Sequence, residues 1–91
     1  MEVRADLAPK HFVEAAEAYI ETGRRPGDFT RAVFANDLMH AVQLADHINL
    51  PALPHICAWV YLSAPMECRG SYEKVQSWIE AGGLERLSAQ S

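Results

Sequence analysis

The sequence has few of the features that would place it in a disulfide-stabilised, secreted or membrane-spanning class. Its 91 residues include only two cysteines, too few for a disulfide scaffold, so both are expected to be reduced thiols. No apolar run reaches the roughly eighteen residues that a transmembrane helix needs. The charged N-terminus, with Glu2, Arg4 and Asp6, does not predict a signal peptide. We therefore expect a cytoplasmic protein with no membrane association.

Motifs for catalysis and cofactor binding are also missing. The serines lie in no nucleophile-elbow context, and the glycines do not make a phosphate-binding loop. There is no HExxH or CxxC pattern that would supply metal ligands at a recognised spacing. The sequence therefore predicts a protein that is not an enzyme and needs no cofactor or metal.

Basic residues are fewer than acidic ones. Eight Lys and Arg stand against twelve Asp and Glu, for a net charge of −4, whereas a protein that coats nucleic acid needs a basic face. Direct nucleic-acid binding is therefore not expected. Residues 32–68 contain no Lys or Arg but hold three carboxylates and three of the four histidines. We interpret this stretch first as core, and alternatively as an acidic surface that meets a basic partner.

The hydrophobic pattern predicts an all-α fold. Pro9 is expected to be the first residue of a helix in which apolar residues recur at helical spacing. Gly23 is expected to end this helix in a left-handed turn. A short helix is expected from about Asp28, its capping residue, to Phe34. A tight corner at Asn36-Asp37 then separates it from another helix. The predicted core stripe of the first helix is Phe12, Val13, Ala16, Tyr19 and Ile20.

The helix after the corner is expected to run from Asp37 to about His47, with Leu38, Val42 and Ala45 on its inner face. A single bent helix from Asp28 onwards is the alternative. Proline and glycine residues then mark the ends of two further helical segments. The first is expected to begin at Pro51, with Pro54 still in its first turn. Residues 57–62 could also be a buried strand, but no second strand is available to pair with it.

The last helix is expected to begin after Ser71 and to end at Gly82-Gly83, with Leu84 and Leu87 folding back onto the core. The predicted product is a single compact bundle of four to five short helices spanning residues 1–91. Residues 1–8 and 88–91 are expected to be frayed tails. Cys57 is expected to be a buried apolar residue. Cys68 is expected to be exposed, with a thiol pKa lowered by the neighbouring Arg69.

The histidines suggest one candidate metal site. Asp37, His40 and His47 are spaced so that one helix face could present all three, and two histidines with a carboxylate suit zinc. A complete ligand set would have to come from several elements. The simpler interpretation is that Asp37 caps a helix while His40 and His47 are partly exposed.

The arginines suggest an anion site. Arg24, Arg25 and Arg31 bracket a predicted helix N-terminus, where backbone amides and guanidinium groups could hold a phosphate or carboxylate of a small ligand. The alternative is a solvated loop, because Asp28 would occupy those amides itself and Glu21 is available to pair with Arg25.

The aromatic residues and the charge pattern suggest a partner surface. Phe34 and Trp59 lie off the predicted inner stripes, and large apolar side chains that face solvent often mark an interface. The partner could be another protein or a second copy of this chain. The predicted partner-binding residues are Phe34, Asp37, His40, Asp46, His47 and Trp59.

A pattern of small, capping and apolar residues runs through most of the chain. Its residues are Gly27-Asp28-Phe29, Ala32-Val33, Asn36-Asp37-Leu38, Ala41-Val42, Ala45-Asp46, Leu53-Pro54, Ile56, Tyr61, Ala64-Pro65, Cys68, Gly70-Ser71, Val75 and Trp78. This pattern resembles a family of small, largely uncharacterised accessory proteins of tailed phages and prophages, and the resemblance covers residues 23–84. This sequence departs from the family pattern at Leu62, where an Asn is expected, and at Arg69, where an aromatic is expected.

The resemblance implies a setting rather than an activity. Small acidic phage proteins without catalytic motifs commonly bind a host protein in the bacterial cytoplasm, and anti-CRISPR inhibitors of defence complexes are one such class. The expectation is therefore a non-enzymatic protein that binds a host or phage protein. A small-anion-binding protein is the second hypothesis, and a metal-dependent enzyme built on Asp37, His40 and His47 is the third.

Overall fold

The computed structural model describes residues 2–86, which form an all-α bundle, as the sequence predicts. Within this range there is no strand, and no helix is long and apolar enough to cross a bilayer. Short 3-10 turns, Ala5–Leu7 and Met66–Cys68, precede the first and last helices. The helices are α1 (Lys10–Thr22), α2 (Asp28–Phe34), α3 (Leu38–Leu44), α4 (Asn49–Ser63) and α5 (Tyr72–Ala81).

Helix α1 has the predicted end and the predicted core face, and it begins one residue later than predicted because Pro9 is its N-cap. Pro9 immediately precedes its first residue, and Gly23 ends it in the left-handed region with a φ of 76°. The amide of Gly23 donates to the carbonyl of Tyr19 at 2.9 Å, which satisfies one of the last free carbonyls of the helix. Val13 of the predicted stripe is half-buried and the rest is fully buried: Phe12, Ala16, Tyr19 and Ile20.

The corner between α2 and α3 lies where the sequence places it, so the single bent helix is excluded. Asn36 adopts a φ of 64°, a conformation that asparagine tolerates better than most residues. Asp37 caps α3, its carboxylate accepting from the backbone amide of His40 at 3.4 Å. The predicted cap of α2 is wrong, because Gly27 occupies that position and Asp28 lies in the first helical turn.

The predicted inner face of α3 is also wrong. Ala41 is its buried residue, while Leu38 and Val42 are 43% and 45% exposed. The helix ends at Leu44 instead of near His47. An apolar spacing identifies a face of a helix, but the direction of that face is imposed here by the tight corner, which brings the small side chain of Ala41 against the bundle.

Helix α4 begins two residues before Pro51. The carboxylate of Asp46 accepts from the backbone amides of Ile48 and Asn49 at 3.0 and 2.7 Å, and so satisfies two donors at the start of the helix. As a result Pro54 lies inside the helix rather than in its first turn as predicted. Its missing amide leaves the carbonyl of Leu50 without the usual intrahelical donor.

The N-terminal segment packs against α4. The turn Ala5–Leu7 lies along this helix, and the amide of Arg4 donates to Nδ1 of His55 at 3.0 Å. Arg4 also pairs with Asp6 at 2.7 Å. The prediction of a frayed tail over residues 1–8 is therefore wrong for this segment, and the one for residues 88–91 lies outside the described range.

The core is joined by polar groups as well as by apolar contacts. The hydroxyl of Tyr19 donates to the carbonyl of Cys68 at 2.7 Å, and Nε1 of Trp78 donates to the carbonyls of Tyr19 and Ile20 at 3.2 and 3.1 Å. These bonds satisfy the polar ends of two large buried side chains. They fix α5 and the Met66–Cys68 turn against the end of α1.

The segment after α5 returns to α1. Ser71 caps α5 as predicted, with its hydroxyl accepting from the amide of Lys74 at 3.1 Å. After the helix ends at Gly82, the amide of Leu84 donates to the carbonyl of Ile20 at 3.0 Å. The chain thus returns to α1, but the Leu84 side chain is 37% exposed and does not join the core as predicted. Leu87 lies outside the described residues.

Candidate partner-binding surface

Phe34 is not exposed at the surface. It is fully buried at 0% exposure, and its ring makes an edge contact with Tyr19 at a centroid distance of 4.8 Å. Phe34 ends α2, and the tight corner that follows brings this end into the centre of the bundle. The prediction that Phe34 faces a partner is therefore wrong.

Trp59 is only partly available to a partner. Its side chain packs against the core, with an edge contact to Phe12 at a centroid distance of 6.1 Å. The residue is half-buried and lines a surface pocket with residues of α1. The prediction of a solvent-facing tryptophan is thus correct for one side of the ring and wrong for the other.

Asp37 and His40 belong to a small polar network that the sequence did not predict in full. The hydroxyl of Tyr72 donates to Oδ2 of Asp37 at 2.6 Å, and Nδ1 of His40 lies 3.6 Å from the same oxygen. The Arg31 guanidinium stacks over the Tyr72 ring at 4.7 Å. Tyr72 is 35 positions from Asp37 in the chain, so no local pattern could have joined them.

This network changes the acidity of Asp37. The hydrogen bond from Tyr72, helped by the amide and imidazole of His40, holds the pKa of Asp37 below its ordinary value although partial burial opposes the shift. The same bond raises the pKa of Tyr72. Ionised Asp37 therefore stabilises the contact between the start of α3 and the start of α5.

Replacing Asp37 by asparagine tests this contact. An asparagine at this position would still cap α3, so Asp37→Asn removes mainly the charge. Because the folded-state pKa of Asp37 is lowered, its stabilisation is present above the unfolded value of about 3.9 and is lost as pH falls through the folded-state pKa. We expect a lower Tm than wild type at pH 7 and a difference that closes below about pH 4.

Thermal melts of both proteins from pH 7 to pH 2.5 provide the measurement. Glu67→Gln, at an exposed position, removes one carboxylate elsewhere and should leave the Tm at pH 7 nearly unchanged. A Tm difference for Asp37→Asn that stays constant over the whole pH range would contradict the assigned role of the Asp37 charge.

Asp46 and His47 do not join this network. Asp46 caps α4, which holds the pKa of its carboxyl below the ordinary value, and His47 is exposed in the loop before α4. Within residues 2–86, no three His, Cys, Asp or Glu side chains come together in a way that could hold a metal ion. The structure therefore does not assemble the hypothetical metal site of Asp37, His40 and His47.

The three arginines of the hypothetical anion site are separated. Arg31 stacks on Tyr72, whereas Arg24 and Arg25 line a shallow cavity of about 400 Å³ against α1. Glu14 also lines this cavity, and its carboxylate disfavours an anion there. Anion binding by Arg24 and Arg25 stays a prediction, and Arg31 is not part of that site.

The two thiols are not candidates for reactive groups. Cys68 is fully buried, which raises its pKa to about 11 although the neighbouring Arg69 acts in the opposite direction. The prediction of an exposed Cys68 with a lowered pKa is wrong, because the 3-10 turn that contains it packs inward. Burial also raises the pKa of the half-buried Cys57.

An apolar surface lies on α3 and the second half of α4. A groove of about 270 Å³ runs between Leu38 and Tyr61, with Phe34 and Val60 among its lining residues. The Arg69 guanidinium lies over the Tyr61 ring at 5.4 Å. We call this surface the α3–α4 face. Its exposed apolar residues are Leu38, Met39, Val42 and Tyr61.

The sequence does not predict this surface, because the helical spacing of the apolar residues in α3 and α4 is also typical of a core face. The one available signal was the absence of Lys and Arg between residues 32 and 68, which drew attention to the correct segment but not to the correct residues. Comparison of the chain with protein-family models, with curated proteins and with solved structures finds no match.

Proposed function

We propose that this chain is a non-enzymatic protein that binds a partner protein through the α3–α4 face. One observation carries the proposal. Of the twelve large apolar side chains that are exposed within the described residues, nine lie between positions 38 and 66, and four of these nine form the α3–α4 face. Scattered apolar side chains are normal on a protein surface, whereas a concentration of them marks an interaction site.

The side chains of this face suit an interface. Met39 and Tyr61 are 84% and 72% exposed, so each would remove a large area from water on binding. Methionine adapts to irregular surfaces, and tyrosine combines a rigid ring with a polar end. Helix α3 carries no Asp, Glu, Lys or Arg, so its burial against a partner requires no charge to be desolvated.

The charges around the face indicate the chemistry of the partner. Asp46 and Glu67, in the segment that carries the face, are exposed, and the one basic residue that lines the groove, Arg69, lies over the Tyr61 ring. A partner with an apolar centre and basic residues at its rim is complementary to this arrangement. A second copy of the chain would instead bring the same carboxylates together in a two-fold contact.

The resemblance to phage and prophage accessory proteins supports a biological setting for this surface. In that setting the partner is a host protein of the bacterial cell, and the function is inhibition of a defence complex, as in anti-CRISPR proteins. The basic groove with which such a complex holds nucleic acid provides the complementary charge. Apolar contact on α3 then contributes most of the affinity, because the acidic excess is small.

Substitution of Met39 tests the proposal. Met39→Asp places a charge on the most exposed apolar side chain of the face, and we expect capture of a specific bacterial partner from lysate to fall roughly tenfold or more. The Tm should stay nearly unchanged because the side chain is 84% exposed. Val3→Asp, at a position that is 54% exposed and outside the face, is the matched control and should retain capture.

Equal capture by Met39→Asp and Val3→Asp would exclude the α3–α4 face as the binding surface. Light scattering of the purified protein tests whether a second copy of the chain, rather than another protein, occupies the face. A wild-type dimer that becomes monomeric on Met39→Asp would assign the face to a second copy and overturn the proposal of a heterologous partner.

A further inference from the structure

A second pocket lies on the other side of α4 from the groove. Trp59 and Ser63 are one turn apart on α4, about half a turn around the helix from Tyr61. The pocket has a volume of about 270 Å³, slightly below the roughly 300 Å³ of the smallest pockets that take drug-sized ligands. This size suits a single side chain. Its lining residues are Glu17, Ile20, Glu21, Trp59, Ser63 and Leu84.

The charge in this pocket is of one sign. Glu17 and Glu21 are four positions apart on α1, so their carboxylates project from neighbouring places on one helix face and repel each other. Neither forms an ion pair with any residue of the described range. The pocket is also lined by no Lys, Arg or His. A cation placed between the two carboxylates would relieve their repulsion and gain attraction from both.

Trp59 adds a rigid aromatic wall. Its ring is held by the edge contact with Phe12, at an interplanar angle of 87°, so the indole is already ordered before a ligand enters. Tryptophan is the best aromatic side chain for attracting a cation over its face. Ser63 supplies a hydroxyl, and Ile20 and Leu84 supply apolar surface for a methylene stem.

We propose that this pocket binds a cationic side chain, that of a lysine or an arginine. The combination of two carboxylates, an indole and apolar walls matches a charged head on an aliphatic stem, whereas a hard metal ion would require about six oxygen ligands. The inference rests on the proposed function only in that the partner protein supplies this side chain. The pocket therefore gives the partner a second defined feature, a basic side chain that reaches around α4 from the α3–α4 face.

The pocket is tested without the partner, using capped amino acids as probes. In two-dimensional ¹H–¹⁵N spectra, N-acetyl-arginine methylamide and its lysine counterpart are titrated into the full chain. We expect saturable shifts of the Trp59 indole NH with millimolar affinity, while the buried indole of Trp78 stays in place. The citrulline counterpart has nearly the shape of the arginine probe but no charge, and it should cause no saturable shift. The relative shifts by the two cationic probes identify which head group the pocket prefers.

Three variants assign the effect to the pocket. Glu17→Gln and Glu21→Gln should each weaken binding of the cationic probes roughly twofold to fivefold, the range typical of exposed ion pairs. Glu73→Gln, on the exposed side of α5, removes the same charge elsewhere and should leave the affinity unchanged. Raising the salt concentration should weaken binding by the wild type and by Glu73→Gln alike.

Absence of a saturable Trp59 shift with either cationic probe would overturn the proposal, as would an equal response to the citrulline probe. Equal weakening by Glu73→Gln would also overturn it, because binding would then reflect net charge alone. None of these outcomes depends on partner capture. Loss of capture by Met39→Asp together with an empty pocket would reject this inference and leave the proposed function intact.

Discussion

Gly83→Ala is expected to destabilise the protein by about 3–5 kcal/mol, from left-handed backbone strain and overpacking together. Gly83 has a φ of 68°, and a Cβ built on it would lie 2.6 Å from the amide nitrogen of Gly23 and 2.7 Å from the carbonyl carbon of Glu21. Both neighbours are backbone atoms, so no side chain can move aside to make room. The new methyl group would separate the end of α5 from the end of α1.

Gly82→Ala is the matched control for this prediction. Gly82 has a similar backbone conformation, with a φ of 89°, but no atom lies within 4 Å of the position that a Cβ would take. Its substitution should cost only the strain of about 1–2 kcal/mol. Urea unfolding of the two variants beside wild type measures the difference, and equal midpoints would show that Gly23 and Gly83 do not approach each other as described.

The stability that Gly83→Ala is expected to remove is a large part of the total free energy of unfolding. Natural domains are stable by about 5–15 kcal/mol, and small domains lie toward the lower end because they bury less of their surface. The contact also holds the Trp78 hydrogen bonds to the carbonyls of Tyr19 and Ile20. We therefore expect the urea transition to broaden if the end of α5 detaches before the remaining helices unfold.

Phe34→Ala is expected to cost about 3–5 kcal/mol, the usual range for truncating a buried phenylalanine. Phe34 is fully buried and its ring contacts Tyr19, so the substitution leaves a cavity between α1 and α2. The Tm should fall by more than about 12 °C for a domain of this size.

The comparison variant is Met39→Ala, at a position that is 84% exposed. It should change the free energy of unfolding by less than about 0.5 kcal/mol.

Phe34→Ala and Met39→Ala also distinguish a partner surface that includes Phe34 from the α3–α4 face. If Phe34 lay in the interface, Phe34→Ala would keep its Tm and lose capture. The structure predicts a lower Tm for Phe34→Ala and loss of capture only for substitutions on the α3–α4 face.

The local ends of the helices were predictable because each depends on neighbouring residues alone. Gly23 ends α1 and Ser71 caps α5 through backbone geometry and short-range hydrogen bonds that these residue types favour in any protein. Asn36-Asp37 forms a corner for the same reason. Where two helix-start signals lie within a few positions, as Asp46 and Pro51 do near the start of α4, the sequence predicts the helix but not its first residue.

The candidate surfaces were predictable only in part. The absence of Lys and Arg between residues 32 and 68 indicated the segment that carries the α3–α4 face. It did not indicate that Leu38 and Val42 are exposed while Phe34 is buried. Helical periodicity groups residues by face, and it contains no information on which neighbouring helix covers that face.

The sequence by itself determined that this is an acidic, all-α domain with helices that start and stop at its Pro, Gly, Ser and Asp residues. Only the tertiary structure decided which apolar residues are removed from water and which distant groups meet. Tyr72 reaches Asp37, and Trp59 lines one pocket with Glu17 and Glu21, because helices that are far apart in the chain pack side by side. Local propensity acts over a few residues, whereas burial and charge pairing depend on how all the helices pack at once.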